Sequence, residues 1–252
     1  MEFKEYGEKT KPIIILIHGF CMSWRLWMPQ IDSFKKDYHV IVPILEGHEE
    51  RDRTTFTSVE NNANIIIDYM INHDYNEIFA ICGLSLGGAI TVNILSQNRL
   101  IIKKAIIDAG ITPSNLSRAK ELFTVYSDFF KTCLARKFRK LLEIYYNPKD
   151  YSKHVVASMY MTLQNISNST IKNVFYSVDT YKLPKDFSNV KTEIRYWYGT
   201  KEENERKKDS DFITHTFPNA KSEIFQGYAH GQLALGNPNL YLKCAYRFFQ
   251  EK

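Results

Sequence analysis

The pentapeptide Gly83-Leu84-Ser85-Leu86-Gly87 constrains this chain more than any other stretch. It follows the apolar run Ile78-Phe79-Ala80-Ile81-Cys82 and precedes a segment in which Ala89, Val92 and Leu95 recur at helical spacing. A Gly-x-Ser-x-Gly match arises by chance in about one chain in ten of this length, from residue frequencies of about 7%. Its position between a buried strand and a helix makes it specific. The glycines permit a sharp strand-to-helix turn with the serine in a strained conformation. Its hydroxyl is then presented at the carboxyl edge of a sheet, with a helix N-terminus behind it.

The rest of the first half supports such a sheet. Ile13-Ile14-Ile15-Leu16-Ile17, Val40-Ile41-Val42 and Ala105-Ile106-Ile107 are short, β-branched and apolar on both faces, as parallel strands covered on both sides must be. Helical patterns lie between them, from about Ser23 to Lys35 and from about Thr57 to Asn72. Alternating strand and helix predict βαβ units and a doubly wound, mostly parallel α/β sheet. From about Pro113 to Pro184 the alternation stops. Four amphipathic helices are expected there, over Ser117 to Thr132, Ala135 to Tyr145, Tyr151 to Gln164 and Thr170 to Thr180. Alternation resumes with a strand from Thr192 to Tyr198, a helix from Asn204 to Thr216, a strand from Ser222 to Phe225 and a closing helix from Asn239 to Phe249. The architecture expected is one α/β domain with a helical insertion between its sixth and seventh sheet strands.

A serine hydroxyl attacks a carbonyl only when a base takes its proton. Seven histidines are available. His230, in Gly227-Tyr228-Ala229-His230-Gly231, lies after the last strand and before the last helix, at the sheet edge that carries Ser85. His18, His39 and His48 border other strands, and His73, His154 and His215 fall on helical or surface segments. The base also needs an acid to orient it and stabilise its imidazolium. The loop Gly199-Thr200-Lys201-Glu202-Glu203 offers Glu202; Asp108, at the end of an earlier strand, is the alternative acid, with Glu203 behind. Oxyanion donors are expected from the backbone N–H groups of Phe20, after His18-Gly19, and of Leu86, at the helix N-terminus.

These residues together resemble the α/β-hydrolase superfamily over nearly the whole chain. The resemblance carries the His18-Gly19-Phe20 loop, the Gly83–Gly87 elbow, the Gly199–Glu202 loop and the Ala229-His230 turn, in the family's order of nucleophile, acid and histidine. It implies Ser85, Glu202 and His230 as a triad, Phe20 and Leu86 as an oxyanion hole, and the insertion as a cap. The domains would be a core of residues 1–112 and 186–252 and a helical cap of 113–185. Two departures stand out. The family most often has aspartate where this chain has Glu202. The loop Ile44-Leu45-Glu46-Gly47-His48-Glu49 keeps a Gly-His pair without its usual flanking acid and final glycine. The serine nucleophile turns the resemblance away from dehalogenases and epoxide hydrolases, which use aspartate there.

Composition limits the remaining classes. The chain has 252 residues, enough to bury a core without disulfides or a metal. Its four cysteines, Cys21, Cys82, Cys133 and Cys244, include no CxxC pair, and no residues have metal-ligand spacing. No cofactor is expected. A net charge of +5 without a basic stripe or a recognisable module argues against nucleic acid. The N-terminal residues lack a signal-peptide core and no apolar run reaches about 20 residues, so a cytoplasmic enzyme with no membrane partner is expected. Oligomeric state is left open. The partner expected is a small-molecule substrate in an apolar pocket bordered by Trp24 and Trp27 from the oxyanion-loop side and by Phe123 and Tyr126 from an insertion rich in aromatics (Phe129, Phe130, Tyr145, Tyr146 and Tyr160 among them). The leading activity is a serine carboxylesterase or related acyl hydrolase working through an acyl-enzyme. The alternatives are a carbon–carbon bond hydrolase or lyase like the menaquinone-pathway synthase of this fold, with Arg118 or Arg136 reaching a dicarboxylate, and a non-catalytic small-ligand-binding protein.

Overall fold

Alternate residues of Ile13–Ile17 point to opposite sides of one sheet. Ile13, Ile15 and Ile17 join one core cluster and Ile14 and Leu16 join another. The computed structural model describes residues 1–49, 54–114, 117–147, 149–184 and 187–251. Its strands are β1 (Glu2–Tyr6), β2 (Ile13–Ile17), β3 (His39–Ile44), β4 (Glu77–Leu84), β5 (Ile101–Asp108), β6 (Glu193–Gly199) and β7 (Ala220–Phe225). They form one sheet in the order β1-β3-β2-β4-β5-β6-β7. β1 runs antiparallel to β3, and every other pair is parallel.

The helices are α1 (Met28–Phe34), α2 (Val59–Asn72), α3 (Leu86–Gln97), α4 (Arg118–Lys137), α5 (Arg139–Tyr145), α6 (Lys153–Asn165), α7 (Asn168–Thr180), α8 (Glu203–Thr216), α9 (Gln232–Gly236) and α10 (Pro238–Gln250). α2, α3 and α8 supply the first core cluster, with Ile66, Ile67, Ile90 and Ile213. α1 and α10 supply the second, where Ile31 and Phe34 meet Tyr241, Ala245 and Phe248. Both sheet faces are covered, so the doubly wound expectation holds.

Four details differ from the sequence reading. β1 was not expected, because Glu2-Phe3-Lys4-Glu5-Tyr6 is charged and only partly buried, as suits an edge strand. With the four strands named from sequence and β1, five strands precede the helical insertion, so it lies between the fifth and sixth strands of the described chain and not the sixth and seventh. The helix expected from Ser23 to Lys35 divides into a 3-10 turn, Trp24–Trp27, and α1, because Pro29 is accommodated only in the first turn of a helix. In the insertion, α4 runs on to Lys137, and extended backbone at Phe138 (φ −125°, ψ 94°) separates it from α5. The expected domain boundary at 185 and 186 lies outside the described residues.

Chain order fixes where a site can form. The chain passes from β2 outward to β3 and then returns to the other side of β2 to form β4. Adjacent connections leave in opposite directions there, which opens a crevice at the carboxyl ends of β2 and β4. The His18-Gly19-Phe20 loop and Ser85 both sit at that crevice.

Candidate active site

Ser85 has φ 55° and ψ −112°, a region that costs a non-glycine residue about 1–3 kcal/mol. The surroundings impose it. A Cβ on Gly83 would lie 2.3 Å from both the Gly87 carbonyl oxygen and Thr91 Oγ1, and one on Gly87 would lie 2.3 Å from the Ile17 carbonyl oxygen. Nothing larger than hydrogen fits at either position, so α3 is drawn tightly against β2 and β4. The Ser85 amide donates to the Asp108 carbonyl at 2.8 Å, which ties the turn to the end of β5.

The side chain of Ser85 meets His230. Oγ and Nε2 are 2.9 Å apart, and Nδ1 of the same ring lies 2.6 Å from Glu202 Oε2. Glu202 ends a 3-10 turn after β6 and is 7% exposed. Its Oε1 accepts from the Gly199 amide at 3.2 Å, so both carboxylate oxygens are engaged. With Glu202 accepting from Nδ1–H, Nε2 is the nitrogen that faces Ser85 as an acceptor.

The loops carrying these two residues are joined to each other and to the insertion. The Lys201 amide donates to the Tyr228 carbonyl at 3.0 Å, and the Gly227 amide to Thr200 Oγ1 at 2.9 Å. From the segment between α5 and α6, Tyr151 donates its hydroxyl to the His230 carbonyl at 2.6 Å, and Asp150 pairs with Lys201. One corner of the insertion thus holds both the acid loop and the histidine loop.

Asp108, the alternative acid, stands apart from this chain of bonds. It is 2% exposed, and its Oδ2 has no hydrogen-bond partner among the described residues. Burial, reinforced by the nearby charge of Glu202, pushes its carboxyl well above the usual carboxylate range, so the neutral acid is favoured.

The loop after β2 comes in from the other side. A Cβ on Gly19 would lie 3.3 Å from Ser85 Cβ, so the Phe20 backbone runs beside the serine. Leu86, as the first residue of α3, has an N–H with no acceptor one turn earlier in the helix. His18 is fully buried. Its Nδ1 faces the Gly19 carbonyl at 2.9 Å and its Nε2 accepts from the Leu45 amide at 3.1 Å. Burial, with His48 beside it, pushes its pKa down to about 3, so it stays neutral and bolts this loop to the one after β3.

Ser85 and His230 both line a cavity of about 10 Å³, room for one water. Phe20, Met22, Tyr146, Met159 and Leu235 close it. None of the four pocket residues expected from the sequence is among its walls. Phe123 and Tyr126 face outward at 77% and 52% exposure, because the α4 face that packs inward is the one bearing Val125. Trp24 is stacked beneath the Arg25 guanidinium and beside Tyr6. Trp27 is fully buried against Tyr241. Of the insertion's aromatics, Tyr146 does reach the cavity; Met22, Met159 and Leu235 carried no sequence signal beyond being apolar. No group of three or more potential metal ligands occurs among the described residues.

Comparison with known proteins agrees with this architecture. Residues 12–236 match the family profile for the alpha/beta hydrolase fold. Over 46 residues, 18% of this chain and 13% of the relative, the sequence is 41% identical to epoxide hydrolase 4 of Mus musculus. Over 143 residues, 56% of this chain and 45% of the relative, it is 27% identical to an uncharacterized carboxylesterase, nap, of Bacillus subtilis. The chain thus spans less than half the length of these curated relatives. A putative alpha/beta hydrolase family protein from Desulfitobacterium hafniense superposes over 99% of this chain and 100% of its own, with a TM-score of 0.79 at 15% identity. By a profile match over nearly its whole length and by the order of its strands, the chain belongs to the α/β hydrolase fold family.

Proposed function

We propose that the chain is a serine hydrolase acting on small, uncharged acyl esters, with Ser85 as nucleophile, His230 as general base and Glu202 as the orienting acid. The observation that carries this reading is the unbroken series Ser85 Oγ, His230 Nε2 and Nδ1, Glu202 Oε2, at 2.9 and 2.6 Å, with the serine on a strained turn at a helix start. As Oγ bonds to the acyl carbon, its proton passes to Nε2. The oxyanion accepts from the Phe20 and Leu86 amides, each worth about 3 kcal/mol in the transition state. Collapse expels the alkoxide, which takes the proton from Nε2. Water, deprotonated by the same nitrogen, then releases the acid and restores Ser85.

The character of the cavity walls supports an uncharged substrate. Phe20, Met22, Leu84, Tyr146, Met159 and Leu235 are apolar or aromatic, and no lysine or arginine among the described residues lines the cavity. Arg118 is exposed at the start of α4, and the Arg136 guanidinium is taken up by the Ile166 carbonyl and Asn168. That weighs against a dicarboxylate and so against the carbon–carbon hydrolase or lyase alternative. A cavity of one-water size means that the segment bearing Tyr146 and Met159, acting as a cap, must move to admit substrate.

Labelling with a fluorophosphonate, followed by peptide mass spectrometry, tests the reading. An adduct on Ser85, lost in Ser85→Ala and His230→Ala, is expected, with ester turnover exceeding that of thioester or diketone substrates. A folded protein that takes no label under conditions that open the cavity, or labels elsewhere, would overturn it and return weight to the binding-protein alternative.

A further inference from the structure

The insertion carries the charge of the whole chain. Residues 113–185 hold twelve of the 33 Lys and Arg and five of the 28 Asp and Glu, a net charge of +7, so the remaining residues stand at −2. The outer face of α4 lies within this cationic region. Among its 20 residues only Val125 is buried. Leu122, Phe123, Tyr126, Phe130 and Leu134 share one arc of the helix and are all exposed, Phe130 at 66%. A helix on a water-soluble protein turns its apolar stripe inward. This one turns five large apolar side chains outward in a row, and such contiguous patches mark binding surfaces.

Cations interleave with the rings. The Lys172 ammonium from α7 sits 5.6 Å from the Tyr126 ring, and that of Lys137 sits 5.5 Å from the Phe138 ring at the end of α4. Lys120 and Lys137 are exposed and form no ion pair among the described residues.

We propose that this face docks the chain peripherally on an anionic lipid surface. Aromatic rings enter the boundary between headgroups and acyl chains, while lysine stems lie along it and their ammonium groups reach the phosphates. The charge selects this occupant. A two-fold contact through α4 would set like charge against like, because the helix carries Arg118, Lys120, Lys131, Arg136 and Lys137 against only Glu121 and Asp128, whereas an anionic surface complements it. Single-stranded nucleic acid is bound in grooves, and the stripe lies on the outside of one helix. No helix among the described residues is long and apolar enough to cross a membrane, so the contact is superficial. The sequence expectation of no membrane partner rested on the lack of a spanning or signal segment, which does not bear on surface docking. The proposal is independent of the chemistry at Ser85.

Flotation of the full chain with phosphatidylcholine vesicles, with and without about 30% phosphatidylglycerol, tests it in about 0.1 M salt. At least tenfold more protein should float with the anionic vesicles, and the excess should vanish near 1 M salt, where the screening length falls to about 3 Å. Phe123→Ser/Phe130→Ser and Lys120→Glu/Lys137→Glu should each cut binding at least tenfold, with unchanged circular dichroism and unchanged turnover of a soluble ester. Equal binding to neutral and anionic vesicles, no binding to either, or binding that survives both double substitutions would overturn the proposal. So would self-association abolished by Phe123→Ser/Phe130→Ser, or binding of an oligonucleotide that anionic vesicles fail to displace.

Discussion

The loops at the sheet edge and the helical insertion use the same residue types to opposite ends. At the edge, apolar runs are buried on both faces and leave the backbone no freedom: Gly83 and Gly87 have no room for a Cβ, and Ser85 is held at positive φ. In the insertion, aromatics lie on both sides of the helices, Tyr146 against the cavity and Phe123 in solvent. Position at the edge is dictated by close backbone approach, which tolerates no alternative. Position in the insertion depends on which face of a helix finds a neighbour. Substitution should therefore be severe and chemical in the first region and graded in the second.

The largest expected effect is at the centre of the edge. Ser85→Ala should lower kcat for a soluble ester by about 10⁴-fold or more, leaving only the contribution of binding and the oxyanion donors. Replacing a strained serine with alanine should not lower the urea midpoint. A variant that loses stability and activity together would mean that the turn itself, rather than the hydroxyl, had been removed.

The two acids divide the edge further. Glu202→Gln keeps the shape but loses the charge facing Nδ1, and should lower kcat by about 10²–10⁴-fold. Asp108→Asn should change kcat by less than about threefold, because His230 bonds to Glu202 and Ser85 and not to that carboxyl, whose pKa burial raises. Its effect should appear in stability against pH instead. A carboxyl whose folded pKa is raised stabilises the fold most below its unfolded pKa of about 4, and that contribution is lost as pH rises toward the folded value. Wild type should thus lose more stability than Asp108→Asn between pH 5 and pH 8, read from urea titrations of both proteins at each pH. Equal slopes would show that Asp108 ionises in the folded chain, and a collapse of kcat in Asp108→Asn would reassign the acid.

Most of the edge is legible in sequence because its constraints are local. Ile13–Ile17 and Ile78–Cys82 announce strands, Gly83–Gly87 announces the turn, and the chain order brings Glu202 and His230 to the same side. β1 escaped because pairing with β3 is a contact between distant residues made by a charged, half-exposed strand. The helices of the insertion were legible as elements, since capping serines such as Ser152 and Ser167 and periodic apolar residues are local signals. Their orientation was not. α4 has apolar residues around much of its circumference, and the 3.6-residue period cannot say whether Val125 or Phe123 faces the core. Phe123 and Tyr126 were misplaced for that reason, and Trp24 and Trp27 because aromatic character was read as proximity to substrate while packing against Arg25 and Tyr241 decided otherwise.

The junction between the two regions should give an intermediate effect. Tyr151 belongs to the insertion by sequence and to the edge by contact, through its bond to the His230 carbonyl. Tyr151→Phe should reduce kcat about three- to tenfold with little change in KM, the scale of one hydrogen bond of about 1 kcal/mol. If the bond positions the imidazole, the acid limb of the pH–rate profile should move as well. A change in KM alone would make Tyr151 a wall of the pocket rather than a support for the histidine.

The smallest effect belongs to the outer face of the insertion. Phe123 is the most exposed large apolar side chain among the described residues, so Phe123→Ser removes almost no buried surface. Unfolding free energy should change by no more than about 0.5 kcal/mol, and kcat on a soluble ester should stay within about twofold. The same truncation in the core would differ in kind: Phe34, fully buried between α1 and α10, should cost about 3–5 kcal/mol on replacement by alanine. The contrast is sharp because both residues are phenylalanines on helices, and only the neighbour differs. If Phe123→Ser costs as much as a core truncation, the outer stripe is covered in solution and the division between edge and insertion fails. If it costs nothing, the ring is retained for something other than folding, and the lipid surface is where its loss should be felt.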